Sequence, residues 1–247
     1  MTTQTGAAPA VPVVSTPSAS EREHRFFMGM AVVIALIVLV GFGPTYFLRS
    51  AFRSDPLQPV FHVHGFIFSM WVVFFVVQTA LVFTRRTPVH RRLGVAGGVW
   101  AAVMLVVGYM AAVASARRGF SPPGAPPPLV FFVIPITDLL VFSIFIATGL
   151  YFRRQSAIHK RLMLLATLSI LTAAIARLPY VLPLGPLAFF GLTDVLVGAC
   201  LVNDRITRGR VHPAFLWGGL FLVASQAGRL VVGGTAAWLA FAAWATR

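Results

Sequence analysis

The stretch PVFHVHGFIFSMWVVFFVVQTALVFTRRTPVHRRLG, residues 59–94, decides the fold. Pro59 opens it, His62 and His64 follow, and an uncharged apolar run reaches Phe83 before Arg85-Arg86 and His90-Arg91-Arg92. About twenty apolar residues closed by a basic hinge is the pattern of a helix that crosses a bilayer. Proline is tolerated in the first turn of such a helix, where its missing N–H would have no partner in any case.

The same pattern repeats outward along the 247 residues, which are 58% hydrophobic and only 11% charged. The mean hydropathy of +0.85 belongs to a chain made of such spans. The reading is all-α, a polytopic bundle of about seven transmembrane helices plus a short C-terminal interfacial helix. The expected spans are 26–48, 60–83, 93–115, 129–152, 162–180, 187–202 and 214–232, with the interfacial helix at 236–246. Gly94 and Gly98 are expected to let a neighbouring helix approach closely. Residues 1–25 read as a disordered cytoplasmic tail, and the Pro-rich 117–128 segment as a rigid connector. Trp238, Phe241 and Trp244 share one side of the last helix, as an interfacial helix requires.

A formal charge of +14 would point to nucleic acid in a soluble protein. Here the basic residues stand at the ends of apolar spans, which assigns them to topology and excludes a nucleic-acid partner. With the N-terminus inside, 13 of the 20 Lys and Arg residues fall on inner segments. That bias predicts a cytoplasmic N-terminus and an external C-terminus. The one cysteine, Cys200, excludes a disulfide framework. No phosphate-cradling glycine loop is present, and Ser69, Ser143 and Ser169 have no evident base for hydrolytic chemistry.

Two constellations remain. His90, His159 and His212 each stand where a hinge passes into a helix, so all three imidazoles are expected at one depth. A helix N-terminus keeps imidazole neutral and able to ligate. Three such rings suit copper or zinc, and two suit haem. The alternative is that they are interfacial anchors. The second constellation is a polar cavity in the opposite half of the bundle, made of Asp138, Arg177, Asp194, Gln226 and Arg229, where charges are costly unless paired or wet. Every ionisable residue inside the spans is expected in that half. Asp138–Arg177 and Asp194–Arg229 are the pairings expected if the charges only clamp helices. His62 and His64 also lie there, as a further metal or haem candidate. They cannot face the same way on a helix. His64, Trp71 and Gln78 share one stripe, and that stripe is expected inward.

The segments HVHGFIFSMW, HRRLG, DLLVFS, HKRLMLLA and HPAFLWGG, with GFGPTYFLR before them, resemble an uncharacterised family of bacterial polytopic inner-membrane proteins. More remotely, the HKRLM hinge is similar to membrane proteins that assist assembly of haem–copper cytochrome oxidases. That resemblance implies haem or copper handling, with respiratory-chain or other membrane proteins as partners beside the lipid bilayer. Similarity to cytochrome b561-type proteins is weaker, since those carry paired histidines within helices. A transporter or small-ligand binder using the polar cavity, and a structural assembly subunit, are the competing readings.

Overall fold

The computed structural model describes residues 18–53, 55–122 and 125–247. Among these, seven helical segments are long and apolar enough to cross a membrane. We number the principal helices α1 (Ala19–Phe42), α2 (Pro59–Phe83), α3 (Thr87–Arg117), α4 (Val133–Tyr151), α5 (Ser156–Ser169), α6 (Pro186–Arg208), α7 (Pro213–Val232) and α8 (Ala236–Ala245). The all-α membrane bundle read from the sequence is the fold observed.

The boundaries differ from expectation mainly where polar residues were assigned to hinges. Helix α1 starts at Ala19 because Ser18 and Glu21 form a capping box: the Ser18 hydroxyl accepts from the Glu21 N–H, and the Glu21 carboxylate accepts from the Ser18 N–H. The expected tail is therefore helical over 19–25, and its first 17 residues lie outside the described ones. At its far end α1 passes into a π-helical turn, Gly43–Phe47, and then a one-turn helix, Arg49–Phe52.

Helices α3 and α5 each begin six residues before the expected start, so His90 and His159 lie within first turns rather than in loops. Helix α5 is also cut short. The chain runs through a single turn at Thr172–Ile175, a 3-10 turn at Leu182–Leu184 and Gly185 at φ 77° before α6 begins. Only glycine adopts that backbone cheaply. Helix α6 continues to Arg208, six residues beyond expectation, and closes on Gly209 at φ 73°.

Helix α5 is the centre of the bundle, with Leu164, Leu165 and Leu168 fully buried. Helices α2 and α3 pack tightly, but not where predicted. A Cβ on Gly94 or Gly98 would make only ordinary contacts, whereas one on Gly97 would stand 2.4 Å from Phe74. A Cβ on Gly108 would likewise stand 2.7 Å from Leu139. Helix α8 lies against α3 and the start of α4, where Ala242 is buried beside Ala112, Ala116 and Phe132. The Trp238 indole N–H donates to the Leu129 carbonyl at 2.8 Å, while Phe241 and Trp244 stay exposed.

Charge also lies buried at the N-terminal end of the bundle, contrary to the expectation that spans carry ionisable groups only in the other half. Arg161 on α5 is fully buried and bonds Asp204 of α6 bidentately, with Nε to Oδ2 at 2.9 Å. It also pairs with Glu23 of α1 at 2.7 Å, and Glu23 holds Lys160 at 2.8 Å. Asp204 in turn accepts the His212 N–H at 3.0 Å. These contacts tie α1, α5, α6 and the start of α7 together. Removing one partner of a buried pair leaves an uncompensated charge and costs about 3–5 kcal/mol.

Candidate functional site

Helix α2 carries the polar stripe that connects the two ends of the bundle. His64, Trp71 and Gln78 are spaced by seven residues, two helical turns, and so share one face. That face points inward, as expected: Trp71 and Gln78 are buried, and His64 is half-buried with its ring tilted against Phe68, centroids 4.2 Å apart. His62 faces outward and is exposed. Its carbonyl accepts the Tyr46 hydroxyl at 3.0 Å, and its ring lies against the Tyr46 ring at 6.2 Å. His62 and His64 therefore form no joint metal site.

The hinge histidines divide two and one. His90 on α3 and His159 on α5 come together, with ring centroids 6.3 Å apart and planes at 74°. His212 stands apart as the N-cap of α7, its Nδ1 accepting the Ala214 N–H at 3.1 Å. That Nδ1 is occupied and beside the Arg161–Asp204 pair, which makes His212 a capping residue. Burial and the Arg161 and Arg208 charges hold its imidazole below the ordinary value, favouring the neutral ring that a cap needs. Among the described residues no group of three His, Cys, Asp or Glu side chains is placed to hold a metal ion. The expected three-histidine copper or zinc site is therefore not assembled.

The two-histidine alternative fits better. Two imidazoles on opposite sides of one metal have centroids about 6 Å apart, given metal–nitrogen distances of about 2.0–2.1 Å. The Nδ1 atoms of both rings are already held. His159 Nδ1 lies 2.8 Å from the Gly149 carbonyl and donates to it, leaving Nε2 as a lone-pair donor. This is the outer arrangement usual for a ligating histidine. Around His90 the polar partner is Gln78. Its amide, oriented to satisfy all its neighbours, donates to His90 Nδ1 at 2.7 Å and to the His90 carbonyl at 3.2 Å, and accepts the Gly94 N–H at 3.1 Å. In that tautomer His90 presents Nε2–H. As a ligand it would need the proton on Nδ1 and the Gln78 amide reversed, which gives up the bonds to the His90 carbonyl and the Gly94 N–H. The tautomer is thus set by one buried side chain that the motifs HRRLG and HKRLM do not contain.

The polar cavity does not form as one site. Asp138 on α4 pairs with Arg229 of α7, not with Arg177, and both are buried. The Arg229 guanidinium also bonds Ser225 and lies over the Phe190 ring at 5.2 Å. Gln226, also on α7, stands beside Asp194 of α6. Four of the five predicted residues thus belong to a contact between α4, α6 and α7. Arg177 belongs elsewhere, over Phe42 of α1 at 4.8 Å. Among the residues that sequence reasoning missed, Glu23, Arg161 and Asp204 were hidden by helix boundaries placed too far inward. No protein-family model, curated protein or solved structure matches this chain.

Proposed function

We propose that this membrane protein handles haem or copper through the imidazoles of His90 and His159, at the cytoplasmic face of a bacterial inner membrane. The observation that carries the reading is the meeting of these two rings with both Nδ1 atoms held by a carbonyl and an amide. Two ligands satisfy a haem iron or a two-coordinate copper(I) ion and fall short of the four that structural zinc takes. Bound iron would supply one-electron chemistry, and bound copper would be cargo. The chain's own residues hold the rings: Gly149 fixes the tautomer of His159, Gln78 sets that of His90, and the buried Arg161–Asp204–Glu23 network fixes α5 against α1 and α6.

The remote resemblance of the HKRLM hinge to oxidase-assembly proteins supports the same chemistry, with respiratory-chain or other membrane proteins as its partners in this reading. The decisive experiment is an optical spectrum of the purified protein, oxidised and reduced, with elemental analysis of the same sample. The expected result is a haem band or about one copper per chain, lost in His159→Ala and in His90→Ala. Gln78→Leu removes the group that sets the His90 tautomer and is expected to weaken retention about 10–100-fold, the usual effect of losing an outer partner. A colourless, metal-free protein that stays so after incubation with haem and with copper(I) would overturn the reading. The histidines would then be helix-packing groups of a structural subunit.

A further inference from the structure

The opposite end of α2 holds a different arrangement. The chain has six carboxylates, and five stand beside groups that do not include Arg177. Asp55 pairs with Arg49, Asp138 with Arg229, Asp204 and Glu23 with Arg161, and Glu21 caps α1. Asp194, the sixth, stands beside Gln226. Arg177 is thus a guanidinium with no carboxylate among the described residues. It donates to its own Ala173 carbonyl at 2.6 Å and stacks on Phe42. Its side chain is accessible.

Two neighbours are incomplete in the same way. His64 lies close enough to feel the Arg177 charge, and its Nδ1 is buried without a partner. The Thr45 hydroxyl, one turn beyond Phe42, is buried without a partner as well. Thr45 is carried on the π-helical turn Gly43–Phe47, and such turns concentrate at functional sites. Arg53 adds a second positive charge close enough to act on Arg177. It lines a groove of about 390 Å³ between Tyr46, Arg49, Asp55 and His62, in which the only acid, Asp55, is held by Arg49.

A guanidinium offers five donors, and neutral imidazole and a hydroxyl each offer one. A partnerless buried imidazole nitrogen and hydroxyl beside cationic groups favour an anionic acceptor. We propose that Arg177, His64 and Thr45 form a binding site for an oxyanion, the carboxylate or phosphate group of a small ligand or of a lipid headgroup, entered past Arg53. The site is independent of the His90–His159 pair, and neither proposal stands or falls with the other.

The test is calorimetric titration of the full-length protein in phosphate-free detergent with inorganic phosphate and with acetate. Saturable binding of either anion is expected, weakened about tenfold or more in Arg177→Gln through loss of charge-assisted hydrogen bonds. Thr45→Val, nearly equal in volume, provides a second variant and is expected to weaken binding severalfold. Repeating the titration in phosphatidylglycerol nanodiscs separates the two sources. Binding that persists there identifies a soluble anion, and binding that disappears there identifies a lipid phosphate as the occupant. No binding of either anion by the wild-type protein, or equal binding by both folded variants, would overturn the proposal.

Discussion

At the scale of single residues, protonation is coupled to structure most directly at His212. Its Nδ1 accepts a backbone N–H, which only an unprotonated nitrogen can do. Burial first, then Arg161 and Arg208, depress its pKa from the ordinary 6.5, while Asp204 opposes the shift. A depressed folded value means that the unfolded chain takes up the proton first as pH falls. The contribution to stability is therefore complete above about pH 6.5 and is lost as pH falls from there through the folded value. Thermal unfolding in detergent is expected to show a decline on that acid side. In His212→Asn, whose amide oxygen caps without titrating, the decline should be shallower. A pH profile identical in the two proteins would remove His212 from the account. The residue types at the histidine pair were legible in the sequence, but the partners were not. Gln78 lies 12 residues before His90 and Gly149 lies 10 before His159, so only the packing of α2, α3, α4 and α5 brings them together.

At the scale of elements, apolar periodicity located every span, because each needs about 30 Å of unbroken hydrocarbon. It misplaced ends of α1, α5 and α6, where a span continues through charged residues that pair inside the fold. The capping box at Ser18 and Glu21 was present in the sequence and should have set the start of α1. The pairing of Arg161 with Asp204 was not, since it joins residues 43 apart that a hydropathy pattern treats as separate hinges. Packing between elements gives a sharper prediction. A Cβ on Gly41 of α1 would stand 2.2 Å from the Ala174 carbonyl oxygen, a backbone atom that has no rotamer by which to yield. Gly41→Ala is expected to lower stability by roughly 1–3 kcal/mol, as overpacking does. Gly29→Ala on the same helix meets nothing within 4 Å and is expected to be neutral or stabilising by up to about 1 kcal/mol. Chemical or thermal unfolding of the two variants side by side would separate packing from helix propensity. Equal effects would mean that α1 does not press on the Thr172–Ile175 turn.

For the whole molecule, seven helices are long and apolar enough to cross, an odd number that predicts the start of α1 and the end of α7 on opposite sides of the membrane. Which side is which was read from the 13 of 20 basic residues on one set of hinges. Burial of Arg161 removes one of these from the exposed surface, yet the remaining majority predicts the same orientation. Alkaline phosphatase fused after Arg247 is expected to be active in bacterial cells, and green fluorescent protein fused there to be dark. The reverse pattern would invert the assignment and place the His90–His159 pair on the external face. The bundle as a whole was legible because lipid imposes one solution on the backbone. The polar cavity was not, because depth along a helix says nothing of azimuth. Arg177 and Asp138 were expected to pair if the charges only clamp helices, yet Asp138 turns to Arg229 and Arg177 to Phe42.

Trp71 occupies the middle of the α2 stripe, 1% exposed, edge-on to Phe142 at 5.3 Å and with its N–H directed to the Thr167 hydroxyl at 3.4 Å. It is seven residues from His64 and seven from Gln78, about 10 Å along the helix in each direction. Trp217 and Trp244, by contrast, are 68% and 65% exposed. The protein therefore contains its own fluorophore between its two ends, in a rigid apolar setting where emission is blue-shifted and insensitive to aqueous quenchers. Energy transfer to a light-absorbing group beside Gln78 would darken that blue-shifted component, so its loss reads occupancy at one end of the bundle without a label.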